Sequence, residues 1–425
     1  MQSTGGVANR FASLAARLER RLAGGLPFAV RFWDGSELRP DGEGSGDTLL
    51  VRDSRALAYI ATAPNQIGLG RAWVAGDLDL DGDLERALRA GERFRELRFG
   101  LRDKLASLLA AGRAGALRLH RPEPPASEAR LGGRLHSLRR DRAAVRHHYD
   151  VSNEFYRLVL GPSMVYSCAY FSSPDETLEE AQERKLDVIC RKLRLAPGER
   201  LLDVGCGWGS LVLHAAQRYG AHAVGVTLSE PQAELARERI REAGLEDRCE
   251  VRVQDYREVK DGPYDKVASV GMYEHVGAAR LDGYMRRLRE LLRPGGLVLN
   301  HGIVRLAPGP RRRDTFVWRY VFPDGELHPV GRVVESMERA GLELRDAESL
   351  RGHYTLTLHR WVENLAANRA AAIAAAGEER ERIWRLYMTG SALAFERGDI
   401  SVQQLLSAVP GVPAGLPLAR GSFNA

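Results

Sequence analysis

The stretch that decides the fold is RLLDVGCGWGSLVLHAAQRYG, residues 200–220. Its first residues are typical of a buried strand, and the apolar spacing after Ser210 predicts a helix. Between them, Gly205, Gly207 and Gly209 let the backbone pass close to a ligand. A strand, a glycine-rich turn and a helix in this order predict a nucleotide-like cofactor site. The alternative, a tight turn without a ligand, accounts less well for three glycines within five residues.

Further strands and helices alternate after this turn. The sequence predicts strands at 223–227, 250–255, 265–271 and 296–303 and helices at 230–243 and 280–292. Alternating β and α elements imply a parallel, doubly wound sheet with a ligand at the carboxyl ends of its strands. We therefore predict an α/β, Rossmann-like fold.

The turn also indicates which cofactor binds. Its spacing is G-x-G-x-G, and Asp203 precedes it. A dinucleotide phosphate would be repelled by that carboxylate, whereas the cationic, phosphate-free S-adenosylmethionine tolerates an acid near its amino group and sulfonium. The second strand does not end in an acid that could grip ribose. Gln232 is a candidate ribose donor, and the alternative is that it is a solvated residue of the first helical turn.

Composition and length limit the classes of protein. The 425 residues are 44% hydrophobic and 28% charged, which is typical of folded globular chains. The four cysteines are far apart and form no C-x-x-C pair, so we predict neither a disulfide framework nor a metal site. No apolar run approaches the ~18 residues that span a bilayer, and the first residues lack the apolar core of a secretory signal. We predict a cytoplasmic protein.

The chain divides into segments of different character. Residues 1–119 predict a small N-terminal α+β domain, the Pro/Gly-rich stretch 120–134 a linker, 135–405 the catalytic domain, and 406–425 a flexible tail. Residues 97–146 contain 12 Arg and Lys against 4 Asp and Glu, and Arg311, Arg312 and Arg313 form a second basic cluster. Basic segments attract nucleic acid or anionic lipid, or are simply solvated helix faces.

Nine ordered segments carry a resemblance to a known family, the cyclopropane-fatty-acid synthases and mycolic-acid methyltransferases. The resemblance is strong over about 145 to 365. The segments are HYDVSNEFY (148–156), MVYSCAYF (164–171), LLDVGCGWG (201–209), VGVTLSEPQ (224–232), QDYREV (254–259), VGMYEHVG (270–277), RPGGLVLNHGI (293–303), WRYVFPDGELHPV (318–330) and HYTLTLHRW (353–361).

The resemblance implies a class I S-adenosylmethionine methyltransferase sheet with helical insertions, and methyl transfer to the cis double bond of an acyl chain. It also implies a bound bicarbonate ion. The cofactor-binding residues then expected are Tyr166, Ser167, Asp203, Gly205, Gly207, Thr227, Leu228, Gln232, Asp255 and Tyr256. The catalytic residues expected around bicarbonate are Cys168, Glu274, His301, Ile303 and Tyr354.

The chemistry explains why such residues are needed. An alkene is a weak nucleophile, so a methyl cation equivalent and a site that tolerates a carbocation are required. A general base must then remove a proton, and bicarbonate is small, anionic and easily oriented. Because two adjacent anions repel, we expect Glu274 and bicarbonate to share a proton. Taken alone, Cys168 would be an ordinary buried cysteine and His301 a core histidine; whether the Cys168 thiol or only its backbone acts is left open.

The family resemblance favours lipid over nucleic acid as the partner of the basic segment. We expect an unsaturated membrane phospholipid as substrate and peripheral contact of 97–146 with the inner face of the membrane. The product is either a cyclopropane or a methylene- or methyl-branched chain, the latter with a reductase partner; a homodimer is also left open. The alternatives are a small-molecule or natural-product methyltransferase and a sensor that binds S-adenosylmethionine without turnover.

Overall fold

The computed structural model describes residues 2–22, 25–41, 44, 46–93, 112, 122–149, 151–306 and 315–418. The cluster Arg311 to Arg313 lies outside the described residues, and so does most of the basic segment before residue 122. The part of the predicted tail after residue 418 is likewise outside them. No helix of the described chain is both long and apolar enough to cross a bilayer.

The secondary structure of the described residues is as follows. The strands are β1 (Gln2–Ser3), β2 (Ala29–Phe32), β3 (Glu37–Arg39), β4 (Thr48–Val51), β5 (Leu78–Asp81), β6 (Arg200–Val204), β7 (His222–Thr227), β8 (Cys249–Val253), β9 (Tyr264–Val270), β10 (Leu292–Arg305), β11 (Glu343–Ser349) and β12 (Ile400–Ala408). The helices are α1 (Gly6–Arg21), α2 (Arg55–Thr62), α3 (Gln66–Val74), α4 (Leu84–Gly91), α5 (Leu138–Tyr149), α6 (Asn153–Leu160), α7 (Leu178–Lys192), α8 (Ser210–Tyr219), α9 (Glu230–Glu242), α10 (Leu281–Glu290), α11 (Phe316–Tyr320), α12 (Val330–Arg339), α13 (Arg351–Ala367), α14 (Arg369–Ala376) and α15 (Glu378–Arg397).

The chain forms two compact units. The first contains the described residues up to Ala129, those of Arg312–Val321, and Gly377–Leu393; the second contains the rest. The first unit has a five-stranded sheet in the order β1-β3-β2-β4-β5 with helices packed on it, as predicted for an N-terminal α+β region. Its later segments were assigned by sequence to the catalytic domain. The segment Gly377–Leu393 joins the first unit, where buried Arg382 donates hydrogen bonds to the carbonyls of Trp73 and Leu78.

Within the stretch predicted as a linker, one charged side chain is buried and hydrogen-bonded. Glu128 is buried and accepts two hydrogen bonds of 2.7 Å from Arg71. The hydroxyl of Tyr320 donates to the same carboxylate at 3.0 Å. These partners hold residue 128 in the first unit, and the division between the two units, at Ala129/Arg130, falls inside the predicted linker 120–134.

The second unit contains a seven-stranded sheet in the order β11-β12-β10-β9-β6-β7-β8. Within the group β6 to β10, every pair of neighbouring strands is parallel. This confirms the predicted α/β sheet. The chain runs from β6 outward through β7 and β8 and then returns to β9 on the other side of β6. The resulting switch point between β6 and β9 opens a crevice at the carboxyl ends of the strands.

The sequence predicted neither β11 nor β12, and β12 lies deeper in the sheet than β11 does. It runs antiparallel between β10 and β11, and Leu406 and Ala408 pair with Leu299 and Leu297 of β10. The predicted tail from residue 406 therefore begins too early, since 406–408 are buried in the sheet. Pro and Gly residues from 410 onward had suggested a loose end.

The core lies on both faces of this sheet. Successive residues of β6 alternate between them: Leu201 belongs to one buried cluster, and Leu202 and Val204 belong to the other. Both faces are covered by helices, so the central strands are apolar on either side and the polar atoms of the site are confined to the strand ends.

Candidate active site

The glycine turn after β6 forms the floor of a cavity. Gly205, Gly207 and Gly209 have φ angles of 82°, 53° and 77°, in the left-handed region that favours glycine. A Cβ atom on Gly205 would lie 2.6 Å from Cγ of Met272. Both conformation and space therefore require glycine here, and the backbone is exposed to whatever occupies the cavity.

The predicted cofactor-binding residues come together around this one cavity, which we call the cofactor cavity. They reach it from β6 and β7 and the turns after them, from the start of α9, from the 3₁₀ turn Tyr256–Glu258 and its N-terminal flank, and from the segment before α7. All ten line it: Tyr166, Ser167, Asp203, Gly205, Gly207, Thr227, Leu228, Gln232, Asp255 and Tyr256.

Gln232 is buried at the start of α9, so it is not the solvated residue that the alternative proposed. Its amide oxygen accepts a 2.8 Å hydrogen bond from the Thr227 hydroxyl. The same hydroxyl accepts from the backbone amide of Ser229 at 3.2 Å. With its oxygen engaged, Gln232 has its amide NH₂ left to donate, which suits an acceptor such as a ribose hydroxyl.

Asp255 lines the cofactor cavity, but its carboxylate is already engaged. Arg257 donates to it from the backbone amide at 3.0 Å and from the guanidinium at 2.7 and 2.6 Å. The same guanidinium also reaches Asp141 at 3.0 Å. Asp255 therefore contributes to the cavity wall by holding the Arg257 guanidinium in place. Next to it, burial raises the pKa of Tyr256 to about 12, so its hydroxyl keeps its proton.

Two buried groups of opposite charge also line the cavity. Asp203 is 3% exposed, and its Oδ1 has no hydrogen-bond partner among the described residues. Lys185, on α7, is 2% exposed and donates from Nζ to the hydroxyl of Ser167 at 2.9 Å. Burial raises the pKa of Asp203 to about 7, with Lys185 opposing the shift. Burial lowers the pKa of Lys185 to about 8, against the influence of Cys168 and Asp203.

Aromatic rings cluster around Tyr166 on one side of the cavity. Its ring centroid lies 5.3 Å from Trp361, 5.7 Å from Tyr156 and 5.5 Å from His148. Apolar faces of this kind exclude water and present negative ring potential to a cation.

The five predicted catalytic residues do not line the cofactor cavity; they lie behind it in two groups. We call the first group the β10 cluster: Glu274, His301, Ile303 and Gln404. Oε1 of Glu274 accepts a 2.6 Å hydrogen bond from the backbone amide of Ile303. Its Oε2 is buried without a partner in the described chain. Burial raises the pKa of Glu274 to about 7, so the carboxyl group is partly protonated at neutral pH.

His301 lies in the middle of β10 and is neutral. Burial lowers its pKa to about 3, helped by the positive charges of Lys185 and Lys192. The side-chain amide of Gln404 on β12 lies 3.2 Å from Nδ1. If that amide donates, Nδ1 is the acceptor and the proton is on Nε2, which has no partner in the described residues. His301 then offers a buried N–H donor without an acceptor.

Cys168 and Tyr354 form the second group. The carbonyl of Leu350 accepts the Cys168 thiol at 3.7 Å and the backbone amide of Tyr354 at 3.0 Å. The thiol also donates to the carbonyl of Ala169 at 3.2 Å. Burial raises the pKa of Cys168 far above its ordinary value, so this residue is a thiol and not a thiolate nucleophile.

Both groups adjoin the cofactor cavity. The backbone amide of Gly271, a cavity residue, donates to the carbonyl of His301 at 2.7 Å, and Cys168 follows Ser167 in the chain. Lys185 is close enough to influence the pKa of both Cys168 and His301. The residues predicted to bind the cofactor and those predicted to be catalytic are therefore neighbours in the fold.

Sequence reasoning missed two polar residues of this region, Lys185 and Gln404. A signal for Lys185 was present: it is four residues from Ala181 and from Ile189, on the buried stripe of α7. Gln404 gave no comparable signal, because the sequence predicted no strand around it.

Comparisons with known proteins find similar chains. The family model described as mycolic acid cyclopropane synthetase matches residues 136–405. A probable fatty acid methyltransferase of Pseudomonas putida is 43% identical over 91% of this chain and 92% of its own length. The cyclopropane-fatty-acyl-phospholipid synthase of Escherichia coli is 37% identical over 68% of this chain and 74% of its own length.

Among solved structures, a mycolic acid cyclopropane synthase complexed with SAH and CTAB is similar to this chain. It is 36% identical, with a TM-score of 0.60 over 63% of this chain and 98% of the other. The similarity to this solved structure covers 63% of the chain, whereas the similarity to the fatty acid methyltransferase covers 91% of it.

Proposed function

Because the chain belongs to the mycolic acid cyclopropane synthetase family and is an S-adenosylmethionine-dependent C-methyltransferase, we propose that its acceptor is the cis double bond of an unsaturated fatty acyl chain in a membrane phospholipid. The product is a cyclopropane ring or a methylene- or methyl-branched chain. The observation that carries the proposal is the β10 cluster, in which Glu274 Oε2 and His301 Nε2 are buried without partners beside the cofactor cavity. Methylation of a nitrogen or oxygen would not need such groups.

The cofactor cavity fits S-adenosylmethionine. Its glycine turn exposes backbone to a ligand, and Gln232 has an amide NH₂ left to donate. When bound, the cofactor supplies an electrophilic methyl group. The chain's part is to hold it: Asp203 provides negative charge near the cationic end, and the rings around Tyr166 keep water away from the transfer path.

The donor set of the β10 cluster fits a small oxyanion such as bicarbonate. His301 has a free Nε2–H to donate, and Glu274 can keep a proton at Oε2 because its pKa is raised to about 7. When bound, bicarbonate supplies a base for the proton that must leave the methylated chain. Glu274 avoids charge repulsion by sharing a proton with the anion, and the Ile303 amide fixes the other carboxyl oxygen.

The relatives support a lipid acceptor. Two probable fatty acid methyltransferases, from Pseudomonas putida and Mycobacterium tuberculosis, align over 91% and 93% of this chain. Cyclopropane mycolic acid synthase 1 aligns over only 62% of it while covering 95% of its own length. The first unit is therefore shared with the fatty acid methyltransferases, which favours an ordinary fatty acyl substrate over a mycolic acid.

We further propose that helix α5 contacts the membrane. Leu138 is 43% exposed, and Arg139, Arg142 and Arg146 are exposed on the same face of the helix. None of these arginines makes an ion pair or side-chain hydrogen bond within the described part of the chain. Other α5 residues, among them Val145, line the cofactor cavity. An anionic bilayer at the basic face would thus place acyl chains near the cavity.

Lipid analysis tests the acceptor. The chain is expressed in a bacterial host that lacks such enzymes, and its phospholipid acyl chains are analysed by mass spectrometry. We expect a gain of one CH₂ unit on monounsaturated chains. Mild hydrogenation separates the products, because an exocyclic methylene takes up hydrogen and a ring does not. Unchanged acyl chains, with cofactor turnover on added small molecules, would instead support the small-molecule methyltransferase.

Vesicle co-sedimentation tests the membrane contact. We expect the triple variant R139Q/R142Q/R146Q to lose about 100-fold in affinity for anionic phospholipid vesicles, since each charge contributes about 1 kcal/mol. The matched control removes three exposed arginines elsewhere, R194Q/R241Q/R286Q, and should bind nearly as the parent does. An equal loss in both variants would mean that only net charge matters and would rule out the α5 surface.

A further inference from the structure

Lys185 is a buried cation that is only partly satisfied. It lies on α7, lines the cofactor cavity and is 2% exposed. Its ammonium has three N–H donors, and the hydrogen bond it makes within the described residues is to the neutral hydroxyl of Ser167 at 2.9 Å. A buried ammonium without a carboxylate partner is costly unless a ligand supplies one.

Asp203 is a buried acid whose carboxylate is also not fully hydrogen-bonded. It is buried at the end of β6, lines the same cavity, and its Oδ1 has no partner among the described residues. Lys185 and Asp203 influence each other's pKa, yet no ion pair within 4.0 Å joins them in the described chain. Two opposite charges therefore face one space without neutralising each other.

The other basic residues of the cavity are occupied or exposed. Arg257 is held by Asp255 and Asp141, and Arg280 is exposed to solvent. Lys185 is thus the buried cation of the described cavity wall that no carboxylate holds. A ligand that carries an anion and a cation a few bonds apart would satisfy both Lys185 and Asp203.

We propose that Lys185, with Ser167, binds the carboxylate of the methionine moiety of S-adenosylmethionine, while Asp203 binds its amino group. An α-amino acid moiety has both charges in the required proximity, and charge-assisted hydrogen bonds are the strong ones in a buried site. This inference rests on the dependence on S-adenosylmethionine and not on the identity of the methyl acceptor. Burial lowers the pKa of Lys185 and raises that of Asp203, as expected of buried charged groups that form no ion pair within the described chain.

The test compares S-adenosylmethionine with decarboxylated S-adenosylmethionine, which lacks only the carboxylate. Titration calorimetry without lipid measures the Kd of each ligand for the full chain and for Lys185→Met. We expect the unmodified protein to prefer the carboxylated ligand by about 10- to 100-fold, the range for a hydrogen bond to a charged group. Lys185→Met should bind the two ligands with nearly equal affinity.

A buried lysine elsewhere is the matched control. Lys266 is also buried in the second unit, pairs with Glu199 and does not line the cavity. Lys266→Met should keep the full preference for the carboxylated ligand. If Lys185→Met does not fold, Lys185→Arg should bind both ligands and retain most of the preference.

Two results would overturn the inference: no preference in the unmodified protein, or the same preference in Lys185→Met. Neither result bears on whether the acceptor is a lipid, because no acceptor is present in the titration.

Discussion

The cofactor cavity and the β10 cluster are neighbours in the second unit but are built differently. The cavity depends on backbone, since three left-handed glycines within five residues open it to a ligand. The β10 cluster depends on side chains from distant segments: Glu274 after β9, His301 on β10 and Gln404 on β12. A site formed by one continuous turn can be predicted from a short sequence motif. A site whose residues are brought together by strand pairing forms only when the whole sheet is folded. The two regions should therefore respond differently to substitution.

The largest expected effect is on turnover. Glu274→Gln keeps the acceptor for the Ile303 amide but removes the titrating proton. We expect kcat to fall by about 100- to 10,000-fold, the range for loss of a proton-transfer group. The Kd for S-adenosylmethionine should change less than about threefold, because Glu274 does not line the cofactor cavity. The exposed Glu250→Gln is the control and should change neither kcat nor Kd. If Glu274→Gln lost binding and turnover equally, the cofactor cavity and the β10 cluster would not be functionally separate.

The second effect is on the pH dependence of stability. Burial raises the pKa of Glu274 from its ordinary 4.5 to about 7, so the folded state holds the proton more tightly than the unfolded chain. Its contribution to stability is therefore present at low pH and is lost as the pH rises through 7. Urea unfolding should show Glu274→Gln gaining about 2 to 3 kcal/mol of unfolding free energy relative to the parent between pH 5 and pH 8. A difference that does not vary with pH would mean that the carboxyl group titrates normally.

The third effect separates two glycines of the turn. An alanine at either position must adopt a left-handed conformation, which destabilises the folded state by about 1 to 2 kcal/mol. Gly205→Ala must also displace Met272, whereas a Cβ on Gly207 has no atom within 4 Å. We expect Gly205→Ala to lower the free energy of unfolding by about 1 kcal/mol more than Gly207→Ala does. Equal losses in thermal or urea unfolding would show that Met272 moves away without cost.

The smallest effect concerns the residue that orients His301. Gln404→Leu removes the amide near Nδ1 of His301, so the proton of the imidazole is no longer held on Nε2 by that hydrogen bond. We expect kcat to fall about 3- to 10-fold, the equivalent of one net hydrogen bond, with cofactor affinity unchanged. Gln403→Leu, on the neighbouring position of β12, is the control. No difference between the two variants would mean that the tautomer is set without Gln404.

Much of the cofactor cavity was predictable because its residues follow from local rules. The glycine spacing predicts a strand-to-helix turn, and Asp203 at the strand end predicts a cationic ligand. All ten residues expected at the cofactor line the cavity. Asp255 was expected as a simple contact, yet its carboxylate is engaged by Arg257, two residues away. A sequence motif does not reveal that a neighbouring side chain already occupies the carboxylate.

The boundaries of the units were less predictable. The two units divide inside the predicted linker 120–134, but its composition did not indicate that Glu128 binds Arg71 and Tyr320. The apparent tail from residue 406 starts inside β12, which pairs with two strands. Both differences have one cause: short segments acquire their structure from partners that are remote in the sequence, which local composition does not register.

The sequence by itself determined the parallel α/β sheet, the glycine turn and the kind of cofactor, because these depend on hydrophobic periodicity and on the conformational freedom of glycine over a few adjacent residues. Only the tertiary structure decided the surroundings of Lys185, the partner of His301 and the pairing of β12. These depend on burial and on contacts between segments far apart in the chain. A side chain becomes an unpaired charge or an unpaired donor only after the fold has removed water from around it.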